Sequence, residues 1–473
     1  MIDRVVGALA ERDRRSIFGP IKQAPTSSGM IMGRVTANTL SFGLLCLTAV
    51  TVLLRPGEMF PGLAGLPIYE SLTFATLACA LPRVLALFQV RSLKCQPSTL
   101  CLVCMASIIP VSHLTHSYFG GAVESVMRFL PAAIFYVLLI AVIDRWERFD
   151  KFLKVIALGA MVMVAMCVAD YLEVIDFTFI NHINDNDGLT ASGDIQRVLR
   201  MSGSGIFADP NDISLLMTAM SIICLSFLTD NSRGPLRAGW LVPLAVFFVG
   251  MLCSKSRGGF LSLGAACSVL AMFRYGKTVA ITIGVMGLLA IPVLAGRQSE
   301  ASLDEGTGND RVMLWREGLI AIRSADIVFG TGYRTYHDIA GLMAHNSFVH
   351  TFVELGLVGG TFFFGAFFFL GWQLWRLSRP EWPLLDARQQ RFLPYMAAIG
   401  AGWTIGLQSL SLCYAVQTLM VLGLTTAFVN LACWNLNPPR LVLSWDRTAR
   451  FRLVAASLSL FVAFNVFVTV MAG

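Results

Sequence analysis

Arg257, Arg311 and His345 are far apart in the chain, yet each sits beside or between long apolar runs. Their side-chain types suit chemistry on a phosphorylated lipid. A planar guanidinium donates two parallel hydrogen bonds to a phosphate. An imidazole titrates near neutrality and accepts a proton from a hydroxyl. Arg311 and Trp315 are four residues apart and share a helical face. His345 and Asn346 lie just before an apolar span, which places them at a membrane surface. His113, His116, His182, His337 and His350 are rivals by residue type, and His345 is singled out by position and by the resemblance given below.

Two further stretches carry polar groups. Ser256-Arg257-Gly258-Gly259 falls in the short gap between two apolar spans, and its glycines allow close backbone approach. Arg257 is either a partner for a bound phosphate or a snorkelling arginine paired to a loop carboxylate. Upstream, Arg200 precedes Gly205-Ile206-Phe207-Ala208-Asp209-Pro210-Asn211-Asp212. Asp209 before Pro210 reads as an N-cap followed by proline at the first helical position. The outward N-terminus of that helix favours a nearby anion, which Arg200 is placed to share.

These residues must be held by membrane-spanning helices. The chain has 473 residues, 56% hydrophobic and 14% charged, with mean hydropathy +0.68. Apolar runs of about 18 residues recur throughout. The pattern predicts an all-α polytopic membrane protein with about 12–13 transmembrane helices and a long outer loop containing helices. Spans expected at about 68–88, 129–143, 155–172 and 393–411 are among them, the first ending or kinking at Pro82. Residues 1–36 form a basic N-terminal segment, either a short surface helix or a disordered tail, and residues 37–473 a single membrane domain.

Lys and Arg gather in alternate turns, on the same side as the N-terminus. Arg145, Arg148, Lys151 and Lys154, then Arg233 and Arg237, then Arg388 and Arg391 are examples. By the positive-inside rule this side is cytoplasmic, so the polar loops 173–210 and 297–346 face the periplasm with the Ser254–Gly259 turn. The net charge of +7 is thus a matter of topology, and no segment suits nucleic acid. The 11 cysteines fall in or beside apolar segments and build no disulfide framework. No tight carboxylate or His/Cys set points to a metal, and no cofactor is expected. A Gly-x-Ser-x-Gly elbow is absent, which leaves a serine hydrolase unsupported. Gly330-Thr331-Gly332 reads as a tight turn, not as a dinucleotide fingerprint.

The ordered set of Arg200 with Gly205–Asn211, Ser256-Arg257-Gly258, Arg311 with Trp315, Gly330-Thr331-Gly332 and His345-Asn346 resembles the O-antigen ligase and polymerase superfamily. The similarity runs from about residue 195 to 375. It implies a C-type glycosyltransferase (GT-C-like) fold in the bacterial inner membrane. It implies a glycan donor on undecaprenyl pyrophosphate, a glycan or lipid acceptor, and inversion at the anomeric carbon without a metal. Carried over by position, Arg257, Arg311 and Arg200 bind the pyrophosphate and His345 activates the acceptor hydroxyl, with Asn346, Trp315 and Asn211 in support. A thirteenth span departs from the twelve common in that family. The ligase and polymerase readings of surface-polysaccharide (lipopolysaccharide or exopolysaccharide) synthesis both stand. A reading of another class, a secondary transporter or lipid flippase, expects charged or discontinuous helices at the bilayer midplane.

Overall fold

The computed structural model describes residues 22–23, 38–189, 195–294, 307–323, 325–379, 382, 387–434 and 440–471. The surface helix or tail expected within residues 1–36 lies outside the described residues, apart from Lys22–Gln23, which pair with Arg440–Leu441.

The long helices are α1 (Thr39–Leu54), α2 (Ile68–Leu87), α3 (Pro97–Leu114), α4 (Phe119–Val142), α5 (Trp146–Tyr171), α6 (Pro210–Leu228), α7 (Leu241–Ser254), α8 (Arg257–Tyr275), α9 (Lys277–Leu294), α10 (Thr307–Ala321), α11 (Ser347–Leu377), α12 (Ala387–Gly406), α13 (Val416–Trp434) and α14 (Arg447–Met471). Among the described residues ten spans are long and apolar enough to cross a membrane, one of them α7 together with its preceding turn, and α1 and α9 are shorter apolar helices. Helix α12 has comparable length but opens on Arg388, Gln389, Gln390 and Arg391. These thirteen correspond to the expected spans. A helix satisfies its own backbone polar groups, which is what permits apolar sequence of this length to cross lipid.

Helices α6, α11 and α13 form the centre, with 78%, 67% and 89% of their apolar windows buried, against 22% for α14. Around them α11 packs on α3, α12 and α14, α6 on α7, α8 and α12, and α13 on α4 and α12.

One end of the bundle collects the basic turns. Arg148 pairs with Asp144 at 3.1 Å, Arg233 with Asp150 at 2.7 Å and Asp230 at 2.8 Å, and Arg388 with Glu147 at 2.7 Å. Arg391 reaches Asp230 as well. These contacts join turns that sequence grouped on one side, and the Arg440–Leu441 ladder brings the N-terminal segment to the same end.

Several boundaries differ from expectation. Helix α4 starts at Phe119, α5 at Trp146 and α12 at Ala387, six to ten residues early. The added turns carry charged residues tied by ion pairs, such as Arg128 with Glu124 at 2.7 Å and Lys154 with Asp150 at 2.6 Å, so the helices extend beyond the uninterrupted apolar run. Helix α2 continues through Pro82 to Leu87. The 173–210 stretch contains an antiparallel hairpin, β1 (Ile183–Leu189) with β2 (Ile195–Arg200), which hydropathy patterning had hidden because its strands are short and largely polar.

Candidate functional site

The end opposite the basic turns is built from the hairpin, the Lys255–Ser256 turn, α10 and the segments 325–346 and 407–415. Asp209 is the N-cap of α6, its side chain accepting from the Asn211 amide at 2.6 Å, with Pro210 at the first position. Ser256 caps α8 in the same way, accepting from the Gly259 amide at 3.1 Å. The Ser256 hydroxyl donates to Asn211 Oδ1 at 2.7 Å, which locks the two helix starts together. Lys255 lies in the left-handed region (φ 49°), which turns the chain out of α7 and straight into α8.

Arg200, at the end of β2, is buried and its donors have protein partners. Nε reaches the Ser254 carbonyl at 3.1 Å, and the two terminal nitrogens reach Asp185 and Asn211 Oδ1, both at 2.9 Å. It therefore ties the hairpin to the α6 and α8 starts. Asn211 accepts from both Arg200 and Ser256.

The glycines after Arg257 are required by packing. A Cβ on Gly258 would stand 2.7 Å from Ser409 Oγ, and one on Gly259 2.5 Å from the Ser214 side chain. The α8 start thus abuts the 407–412 segment. That segment also carries Ser411, whose hydroxyl accepts the His345 amide at 2.9 Å. Ser347 bonds to Leu410 and Leu412 in the same region. Arg257 and His345 therefore lie at one end of the bundle, joined through residues 409–411.

His345 is fixed on both sides of its backbone. Trp315 Nε1 donates to the Ala344 carbonyl at 2.6 Å, and its ring packs on Phe464 and Phe467 of α14. Asn346 is the N-cap of α11, its Oδ1 accepting from Phe348 and Val349 while Nδ2 donates to Gln408. Between them His345 takes φ 47°, a left-handed conformation uncommon outside glycine. Neither its ring nor the Arg311 guanidinium makes a hydrogen bond or ion pair among the described residues.

The electrostatics link these groups. Burial holds the His345 imidazole below its ordinary pKa of 6.5. The Arg311 charge pushes it further down, with His350, and Asp209 partly opposes them. The ring is thus neutral at physiological pH. Burial likewise lowers Arg311, which feels Asp209 and Arg200. Hairpin end, α6 start, α10 and α11 start share one neighbourhood. What they can do is present cationic donors and an available base to one ligand.

The Gly330-Thr331-Gly332 turn has a role that sequence did not indicate. Helix α11 is interrupted at Gly356 (φ 65°), and the 328–332 backbone docks into the break. Thr331 and Gly332 amides donate to Val353 and Glu354 carbonyls at 3.0 Å, and Val358 donates back to Val328 at 3.1 Å. A Cβ on Gly330 or Gly356 would lie 2.3 Å from opposing backbone. Glu354, fully buried, accepts from the Arg334 amide at 2.8 Å, the Tyr336 amide at 3.0 Å and His350 Nε2 at 2.9 Å. A lone carboxylate inside an apolar run was the available signal for this clamp.

No set of three His, Cys, Asp or Glu side chains is grouped to hold a metal among the described residues. The fold and this polar cluster at the end opposite the basic turns define a multi-pass membrane protein with a loop-built polar site. Residues 242–364 match the family model described as O-antigen ligase, which supports the resemblance to the O-antigen ligase and polymerase superfamily over that stretch. The matched stretch includes Ser256, Arg257, Arg311, Trp315, His345 and the α11 break. No curated protein matches the chain.

Proposed function

We propose that this protein is an O-antigen-ligase-like glycosyltransferase of the bacterial inner membrane. It moves a glycan from undecaprenyl pyrophosphate to an acceptor hydroxyl at the periplasmic face. Arg257 and Arg311 hold the pyrophosphate, and His345 is the base. The acceptor oxygen attacks the anomeric carbon as its proton passes to the imidazole. The carbon–phosphate oxygen bond breaks on the opposite side, so configuration inverts and undecaprenyl pyrophosphate leaves. Guanidiniums stabilise the charge that develops on the leaving oxygen, without a metal. Arg200 acts behind them, setting Asn211 and the α8 start through its bonds.

The observation that carries the reading is the pairing of a neutral His345 ring with the Arg311 guanidinium, neither of them hydrogen-bonded or ion-paired among the described residues, inside the matched stretch. The interruption of α11 fits the transporter reading in form. Its exposed backbone groups, however, are taken up by residues 328–332, so they are not free to coordinate a passing ion.

The test is transfer by purified protein in nanodiscs, supplied with a lipid-linked repeat unit, with and without candidate lipid acceptors. Glycan transferred intact to a lipid acceptor marks a ligase, and lengthened lipid-linked chains mark a polymerase. No covalent product with either, alongside flux of the donor across vesicles, overturns the reading in favour of transport.

A further inference from the structure

Beside the cluster just described, the same end of the bundle contains a separate cavity of about 310 Å³. It lies between the α3–α4 corner and the 333–338 segment, and none of its lining residues belongs to the Arg257, Arg311 and His345 set. Its walls present Glu124, Arg128, Arg334 and Asp338, flanked by the rings of Tyr118 and Tyr333.

The cavity is shaped by specific packing. Tyr118 stands edge-on to His113 at 5.5 Å between ring centres. A Cβ on Gly121 would strike the Tyr118 ring at 2.3 Å, and one on Gly332 would meet His113 Nδ1 at 3.0 Å. The other wall depends on the buried carboxylate. Glu354 holds the Arg334 and Tyr336 amides, and Arg334 adopts φ 63°, a strained conformation for an arginine. The Arg334 and Asp338 side chains, four residues apart, form no ion pair or hydrogen bond among the described residues. A left-handed backbone and a buried clamp thus present to an open space two charged groups that are unpaired among the described residues.

The chemistry selects the ligand class. Carboxylates disfavour a bare phosphate, and four charged groups disfavour an acyl chain. Carboxylates and guanidiniums side by side accept from and donate to neighbouring hydroxyls, while tyrosine rings cover an apolar face and keep a polar tip. The volume is at the small end for small-molecule sites. We infer that this cavity is a saccharide subsite, which seats a sugar ring of the glycan or of the acceptor away from the reacting bond.

The choice of ligand rests on the glycosyl-transfer reading, whereas the geometry does not. Tyr336 connects the two sites: its hydroxyl donates to the Leu314 carbonyl of α10 at 2.9 Å, and its ring lies 5.1 Å from that of His350. The segment that lines the cavity is thus tied to the helix that carries Arg311.

The first arm measures binding alone. Oligosaccharides released by mild acid from the source cell's own surface polysaccharide and core are added to protein in nanodiscs free of sugar detergents. Saturation-transfer NMR is expected to show contact with wild type and about a ten-fold weaker affinity in Arg334→Gln or Asp338→Asn, each the loss of one charge-assisted hydrogen bond. Both side chains are exposed, and unchanged thermal melting checks that the variants fold. No contact with wild type, or equal contact in the variants, overturns the subsite. The second arm measures transfer. A rise of about ten-fold in KM for the acceptor, with kcat and donor KM held, assigns the ring to the acceptor; the reverse assigns it to the donor. Binding without any transfer by wild type tells against the proposed reaction and leaves the subsite standing.

Discussion

In the proposed reaction His345 is the base, and its setting yields two expectations. His345→Ala should lower transfer by about 10²–10⁴-fold while the protein stays inserted and folded, as judged by yield and melting, because a positioned base contributes about that much. Wild-type turnover in that variant would falsify the base assignment. The second concerns pH. The ring must be neutral to accept a proton, so activity falls as pH drops through its pKa, which burial and Arg311 hold below 6.5. Arg311→Gln removes the neighbouring positive charge. The residual activity should then lose its acid limb at a higher pH than wild type. A limb that stays put, read from kcat/KM against pH, separates Arg311 from His345. The i, i+4 spacing did place Arg311 and Trp315 on one face. The use of the Trp315 N–H to hold the Ala344 carbonyl was not legible, since it joins residues from different segments.

Among the elements, the broken helix α11 gives the clearest test. Gly356→Ala places a methyl 2.3 Å from the Val328 carbonyl and demands φ 65° of an alanine. We expect destabilisation of at least about 1–3 kcal/mol, read as a fall in melting temperature in detergent. Proteolysis of the 328–340 segment should rise with it, as the docked backbone releases. Gly371→Ala, where a Cβ meets nothing within 4 Å, is the matched control further along the same helix. Asn346→Ala should cost about 1 kcal/mol as a lost N-cap and reduce activity through its neighbour, His345. Caps were the best-read local features: Asp209 and Pro210 stand where short-range rules put them. The hairpin β1–β2 was not readable, because its alternation is weak and its register is interrupted between Asn186 and Leu189.

At the scale of the molecule, the sidedness of the two ends is the open consequence of the proposal. On a background without reactive cysteines, Arg334→Cys should react with an impermeant maleimide added to intact spheroplasts. Arg388→Cys, at the basic end, should react only after lysis. Labelling in the opposite order would put the site in the cytoplasm and end the periplasmic assignment. The bundle also shows why this arrangement tolerates charge: the basic turns pair with Asp144, Glu147, Asp150 and Asp230, while Arg311 has no such partner among the described residues.

Hydropathy alone determined the all-helical membrane class, with ten helices among the described residues long and apolar enough to span, and the grouping of their basic turns, because each depends on runs of neighbouring residues and on the absence of water in lipid. Local spacing determined the Asp209 cap and the shared face of Arg311 and Trp315. Only the tertiary structure decided that Arg200 spends its donors on Ser254, Asp185 and Asn211, and that Ser409–Ser411 link Arg257 to His345. It alone placed residues 328–332 in the gap of α11, with Glu354 beneath them. Such contacts join residues distant in sequence through hydrogen bonds a few ångströms long, and no periodicity along the chain encodes which partners will meet.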